Sequence, residues 1–199
     1  MHDSHSAKYS DVTGVLLAGG TSRRMGRDKA FLVANGQALY FRSLELLCNY
    51  FQKVMISGDR PDLASGVIPC IPDIYPGSAL GGIFTSLHTA DTDWVFVSAC
   101  DMPCPDFRIL EMLLERRHSA DAVVPETPSG FEPVFALYHK NCLPVFEKAL
   151  QQGRKSIFNL YAELNVHFLN WCDMPEGWEK SLININTPAD RDKIREEAK

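Results

Sequence analysis

The six cysteines of this 199-residue chain (Cys48, Cys70, Cys100, Cys104, Cys142, Cys172) include no C-x-x-C pair, so neither a zinc knuckle nor a thioredoxin-like dithiol is suggested. Scattered among partly apolar neighbours, they read as reduced, mostly buried thiols of a cytoplasmic protein. No apolar run approaches the ~18 residues of a membrane span, and no secretory h-region precedes the first strand. Basic residues are in deficit: Lys and Arg number 20 against 25 Asp and Glu, a formal charge of −5. That balance argues against the broad basic surface of a duplex nucleic-acid binder. There is no repeat, low-complexity tract or linker. Residues 1–11 are polar and aperiodic and are expected to form a disordered tail, with 12–199 a single domain.

Two phosphate-binding signatures are missing as well. No Gly-Lys is followed by Ser or Thr as a P-loop requires, and the glycines do not fall as G-x-G-x-x-G. What stands in their place is Val15 to Lys29, VLLAGGTSRRMGRDK. Its apolar start suits a buried strand. Gly19-Gly20 can turn backbone N–H groups toward a ligand, and Arg23, Arg24, Arg27 and Lys29 concentrate positive charge in an acidic chain. The stretch reads as a polyphosphate cradle.

Downstream, Leu39, Leu44, Leu46, Leu47, Tyr50 and Phe51 recur near helical spacing and predict a helix over 39–51. Val54–Ser57 and Val67–Ile71 read as strands. Tyr75 to Gly82 (YPGSALGG) holds Pro76 and three glycines and is expected to be irregular, with a helix over 83–90. Trp94–Ala99 is the most continuous apolar strand and is expected to be central. Asp106 stands as the N-cap of a helix over 107–117. Further strands are expected over 122–124, 134–138 and 166–169, a helix over 143–150, and a final charged helix after Thr187-Pro188. The order favours an α/β fold: a three-layer, mostly parallel twisted sheet with helices on both faces, Rossmann-like in build.

Asp101, at the end of the central strand, sits where open α/β sheets bind ligands, and with a nucleotide triphosphate it could hold Mg2+. Asp73 follows an apolar strand. A carboxylate there could accept two N–H donors from a guanine edge, with Gly81 and Gly82 letting backbone approach a flat base. It could equally be a turn residue. Asn184 and Asn186 share one side of an extended segment and could hold a phosphate or a metal-bound water, or form an Asx turn.

Taken together these motifs resemble the molybdenum cofactor guanylyltransferases, nucleotidyltransferases with a glycosyltransferase-A-like sheet. The resemblance rests on LLAGGTSRRMGRDKA at Leu16–Ala30, IPD at Ile71–Asp73, PGSALGGI at Pro76–Ile83, ACDMP at Ala99–Pro103, PVFALY at Pro133–Tyr138 and NINTP at Asn184–Pro188. It implies transfer of GMP from GTP to the phosphate of molybdenum-bound molybdopterin, releasing pyrophosphate. It further implies that Leu17, Ala18, Gly19 and Gly20 contact the nucleotide, that Arg23, Arg24 and Lys29 face its phosphates, that Asp73 reads the guanine and that Asp101 binds Mg2+. Gly81 and Gly82 would line the GTP side, and Asn184 and Asn186 the pterin or phosphate side. Where a close relative would carry an asparagine contacting GTP, this chain has the shorter Ser57. Implied partners are the two substrates, with cofactor-insertion proteins and molybdoenzyme chaperones beyond them. The rival readings are a CTP-dependent cytidylyltransferase on the same pterin, a sugar-phosphate nucleotidyltransferase, and a GTP-binding accessory protein without chemistry. Gly19, and Asp28 ahead of Lys29, favour GTP over CTP.

Overall fold

The computed structural model describes residues 9–19, 29–31, 33–34, 36–63, 66–102 and 104–182. Strand β1 (Tyr9–Leu17) has five consecutive buried residues, Val12 to Leu16, as expected of a strand covered on both faces. It starts at Tyr9, inside the stretch expected to be a tail. Tyr9 pairs with Phe51 and packs against its ring at 6.2 Å, while Arg117 bonds Asp11, and these contacts order the segment. A small hairpin of β2 (Val33–Ala34) and β3 (Gln37–Ala38) leads into helix α1 (Leu39–Tyr50). There follow β4 (Phe51–Ser57), β5 (Cys70–Ile71), α2 (Ala79–Thr89), β6 (Trp94–Ala99), α3 (Phe107–Glu115), β7 (Ala122–Thr127), β8 (Gly130–Phe131), β9 (Phe135–His139), α4 (Leu143–Gln151), β10 (Val166–Asn170) and α5 (Trp178–Ser181).

The main sheet runs β10-β7-β9-β6-β1-β4-β5, with β8 paired to β7. β5, β4, β1 and β6 are parallel, as are β7 and β10. β9 is antiparallel to both its neighbours, β6 and β7. The sheet is therefore mixed but mostly parallel, and β6 is its middle strand. Helices α1 and α3 bury Leu47, Ile109, Leu110 and Leu113 on one face, and α2 and α4 bury Ile83, Leu87, Phe146 and Ala149 on the other, giving three layers. After β1 the chain adds β4 and β5 on one side and then returns to lay β6 on the other. The switch point, where such sheets open a crevice, thus falls at the carboxyl end of β1.

Two expected elements differ. Only Cys70 and Ile71 of the third apolar run join the sheet, because β4 offers just Ile56 and Ser57 for pairing there, and Val67 is 91% exposed. The loop expected to extend to Gly82 ends earlier, at Ser78. The Ser78 hydroxyl accepts from the Gly81 N–H at 3.1 Å, and that cap starts α2 at Ala79 despite the two glycines that follow. The helix expected over 107–117 stops at Glu115, and its N-cap Asp106 accepts from the Arg108 N–H at 2.8 Å.

Phe96 of β6 is fully buried between Phe51 (5.8 Å, stacked) and Phe135 (5.0 Å, edge-on). Phe96→Ala should cost about 3–5 kcal/mol in chemical denaturation. A loss under 1 kcal/mol would mean that this aromatic stack does not anchor the sheet.

Candidate functional site

The carboxyl ends of β1, β4 and β6 finish level, with Leu17 opposite both Ser57 and Ala99. Backbone bonds continue past the paired residues: Ala18 N–H to Ser57 O (2.8 Å), Cys100 N–H to Leu17 O (3.1 Å) and Gly58 N–H to Ile71 O (2.9 Å). Gly58 has φ +127°, and a Cβ there would lie 2.6 Å from the Gly19 nitrogen. Only glycine allows that crossing.

Asp73 leans into this junction. The Ser57 hydroxyl, 1% exposed as a residue, donates to Asp73 Oδ1 at 2.6 Å and lies 3.1 Å from the Gly82 carbonyl oxygen. A Cβ on Gly19 would sit 2.3 Å from Asp73 Oδ2, and one on Gly82 3.2 Å from the Ser57 hydroxyl. Missing side chains at Gly19 and Gly82 therefore make the slot that Asp73 occupies. Burial raises the carboxyl's pKa, and the Ser57 hydrogen bond opposes the rise by favouring the ionised form. The backbone beside it is pinned because the Ile74 N–H donates to Thr85 Oγ1 at 2.9 Å.

The first turn of α2 closes one wall. A Cβ on Gly81 would fall 1.8 Å from the Tyr75 carbonyl oxygen, so the loop folds directly onto the helix start. Ser78 and Ala79 at that start face the same cavity, which receives the positive end of the helix. On the far side Cys100 and Asp101 turn after β6, and the fully buried Met102 anchors the turn. Val134 joins them, its carbonyl accepting from the Ala99 N–H at 2.9 Å.

The result is a cavity of about 160 Å³ that brings together Leu17, Ala18, Gly19, Ser57, Asp73, Gly82 and Asp101 from the expected set. Gly81 stands one residue behind the wall and serves the contact with Tyr75. Lys29 opens a short turn, Lys29–Phe31, whose Ala30 is buried; its side chain lies outside the described part. Gly20, Arg23, Arg24, Asn184 and Asn186 lie outside the described residues. Larger grooves run along β4 (about 520 Å³) and between α1 and α3 (about 710 Å³), but neither reaches Gly19, Asp73 or Asp101.

Sequence reasoning missed Gly58, Arg60, Ser78 and Val134. Gly58 directly follows an apolar strand, and that was its signal. Ser78 stands three residues before Gly81 at a helix start, a capping position hidden by the glycines. Arg60 lines the cavity with a 17% exposed side chain, bonded to Asp62 at 2.8 Å and lying over the Phe31 ring at 5.7 Å. Nothing local distinguishes it from a surface arginine. Among the described residues no group of three or more acidic, histidine or cysteine ligands could hold a metal by itself.

A sequence model of the MobA-like NTP transferase domain matches residues 14–166. The molybdenum cofactor guanylyltransferase of Vibrio cholerae is 33% identical over 187 residues, covering 90% of this chain and 89% of the relative. That of Vibrio atlanticus is 32% identical over 188 residues, covering 90% and 93%. In structure the chain is similar to molybdopterin-guanine dinucleotide biosynthesis protein A from Archaeoglobus fulgidus, with a TM-score of 0.79 at 25% identity, over 94% of this chain and 98% of that one. A 2-C-methyl-D-erythritol 4-phosphate cytidylyltransferase from Thermus thermophilus shares the fold, with a TM-score of 0.67 at 15% identity, over 92% and 97%. The family match begins in β1, ends in β10 and takes in every strand that borders the cavity, so the chain belongs to the MobA-like NTP transferase domain family and is a nucleotidyltransferase.

Proposed function

We propose that the chain transfers GMP from GTP to the phosphate of molybdenum-bound molybdopterin, forming the molybdopterin guanine dinucleotide cofactor and pyrophosphate. The observation that carries this reading is Asp73, a half-buried carboxylate held by Ser57 at one end of a crevice. Ionised, it offers acceptors to the adjacent N–H and amino donors of guanine, a pattern that cytosine lacks. The two relatives named above carry the same activity in their names.

The acceptor phosphate attacks the α-phosphorus of GTP in line. A new P–O bond forms while the bond to the bridging oxygen of the β-phosphate breaks, and that oxygen leaves with the electron pair as pyrophosphate. The attacking oxygen is already anionic, so no protein nucleophile is required; the protein aligns two anions and stabilises the departing charge. Leu17, Ala18, Gly19 and Gly20 run along the nucleotide, Gly82 and the start of α2 flank its base, and Arg23, Arg24 and Lys29 supply countercharge. Arg60, already paired with Asp62, closes the base side. Asp101 would hold Mg2+, which when bound neutralises triphosphate oxygens. A single carboxylate suits that ion, whose remaining ligands are phosphate oxygens and water. Asn184 and Asn186 serve the acceptor side. The compartment is the cytoplasm, in keeping with the free cysteines, and no described helix is long and apolar enough to cross a membrane. Downstream partners would be cofactor-insertion proteins and molybdoenzyme chaperones.

With Mg2+ and molybdopterin present, GTP should release pyrophosphate at least tenfold faster than CTP or ATP. Lys29→Ala and Asp101→Ala should each lower turnover by about two orders of magnitude or more with unchanged melting. Near-normal turnover in either variant would sink the role given to that residue, and a preference for CTP would overturn the base assignment.

Ser57→Ala tests the clamp on Asp73. Losing a hydrogen bond to a carboxylate should raise the KM for GTP about tenfold. Because burial raises the pKa of Asp73, the native state keeps its proton to higher pH than the unfolded chain, and stability falls as pH rises above the ordinary carboxylate range. Without Ser57 that window widens upward. The variant should therefore lose more stability than the parent between pH 4 and pH 8, measured by urea titration, and parallel curves would contradict the clamp.

A further inference from the structure

We propose that Glu132 recognises the acceptor, its carboxylate taking the paired N–H and amino donors on the amino–oxo edge of the pterin ring. The inference rests on the guanylyl-transfer reading above and supplies what that reading lacks, a group that reads the second substrate.

Position is the first argument. Along the carboxyl edge of the sheet the order is β5, β4, β1, β6, β9, β7. Asp73 and Ser57 stand over β5 and β4, and Asp101 lies in the turn that follows β6. Glu132 lies between the next two strands: its N–H donates to Pro125 O of β7 at 3.0 Å, and its carbonyl accepts from Phe135 N–H, the first residue of β9, at 3.2 Å. At about 4.8 Å per strand, that is about 5–10 Å along the edge from the end of β6. A phosphate attacking beside Asp101 would carry its ring in this direction.

The second argument is facing. Phe131 opposes Glu126 on β7 and stacks on Phe168 at 4.5 Å, both partly buried against the core under α2 and α4. Successive residues of an extended segment alternate, so Glu132 turns to the opposite side. Val134, which lines the cavity, packs against the core on that side, under α1 and α3.

The third argument is an imbalance. Glu132 is half-buried, and among the described residues no side chain donates to its carboxylate or pairs with it. Burial alone pushes its pKa up to about 7. Asp73, similarly desolvated, has Ser57. A carboxylate partly withdrawn from water and without a donor costs stability, and a ligand that brings two donors offsets the cost. Pterin and guanine present the same pair of donors beside a ring carbonyl. An enzyme that joins the two rings through a pyrophosphate then needs a carboxylate at each end of its crevice, and Asp73 and Glu132 hold those ends.

The test is equilibrium binding of a simple pterin and of lumazine, which carries oxygen in place of the amino group, to the full chain and to Glu132→Gln and Glu132→Ala. The unmodified protein should bind pterin at least tenfold tighter than lumazine. Glu132→Gln should weaken pterin binding about tenfold to a hundredfold and abolish that preference, leaving GTP affinity unchanged. Its melting temperature should hold or rise, because the variant removes an uncompensated desolvated charge. In turnover the KM for molybdopterin should rise while the KM for GTP stays fixed. Unchanged pterin affinity in both variants, or a parent protein that does not distinguish pterin from lumazine, overturns the inference. A Glu132-dependent pterin preference in a protein that fails to release pyrophosphate from GTP would instead overturn the guanylyl-transfer reading and leave this site standing.

Discussion

A Cβ on Gly19 would lie 2.3 Å from the Asp73 carboxylate, and one on Gly58 would lie 2.6 Å from the Gly19 nitrogen. This close passage at the ends of β1 and β4 is the constraint on which the site depends. It brings Ser57 beneath Asp73, lets a 1% exposed hydroxyl support a carboxylate, and holds the slot open against the first turn of α2. A side chain at any of these glycines would push the strand ends apart. The crevice at the switch point would then lose one of its walls.

The same junction shows how an acidic protein handles an anionic substrate. With a formal charge of −5 the chain cannot rely on overall charge and must assemble a local patch. One part is the backbone, since α2 directs its N-terminal end at the cavity with Ser78 as cap. Another is Arg60, whose guanidinium is held between Asp62 and the Phe31 ring, so that a long side chain is fixed before any ligand arrives. In the proposed reading Arg23, Arg24 and Lys29 would add the remaining charge on the phosphate side. Carboxylates at either end of the crevice would read bases, and the cations between them would hold phosphates.

Several parts of this arrangement were legible in the residues. The β1 strand, the glycines after it, and aspartates ending or following apolar strands all carry local signals: apolar runs, turn residues, and a carboxylate where a strand should stop. The structure gathers Gly19, Asp73, Gly82 and Asp101 around one cavity, as those signals suggested. Other parts were not legible. Ser78 was read as loop because glycines follow it, yet a cap and a packed helix face outweigh the low helix propensity of Gly81 and Gly82. Val67 was read as strand from its apolar neighbours, but strand pairing needs a partner edge, and β4 provides only two residues of it. Ser57 stands where a close relative would carry an asparagine, but no spacing along the chain shows that its hydroxyl meets Asp73 and Gly82.

What the sequence determined by itself was therefore local: which segments are apolar enough to be buried, where they stop, and where positive charge concentrates. Those properties follow from the residue types and their spacing within one element. The tertiary structure decided which strand ends become neighbours, which donor each buried carboxylate meets, and which carboxylate meets none. Asp73 and Glu132 look alike as acidic residues near apolar strands. One lies against a serine sixteen positions away in the chain and the other against no described donor, because hydrogen bonds and desolvation depend on distances in space that spacing along a chain does not encode.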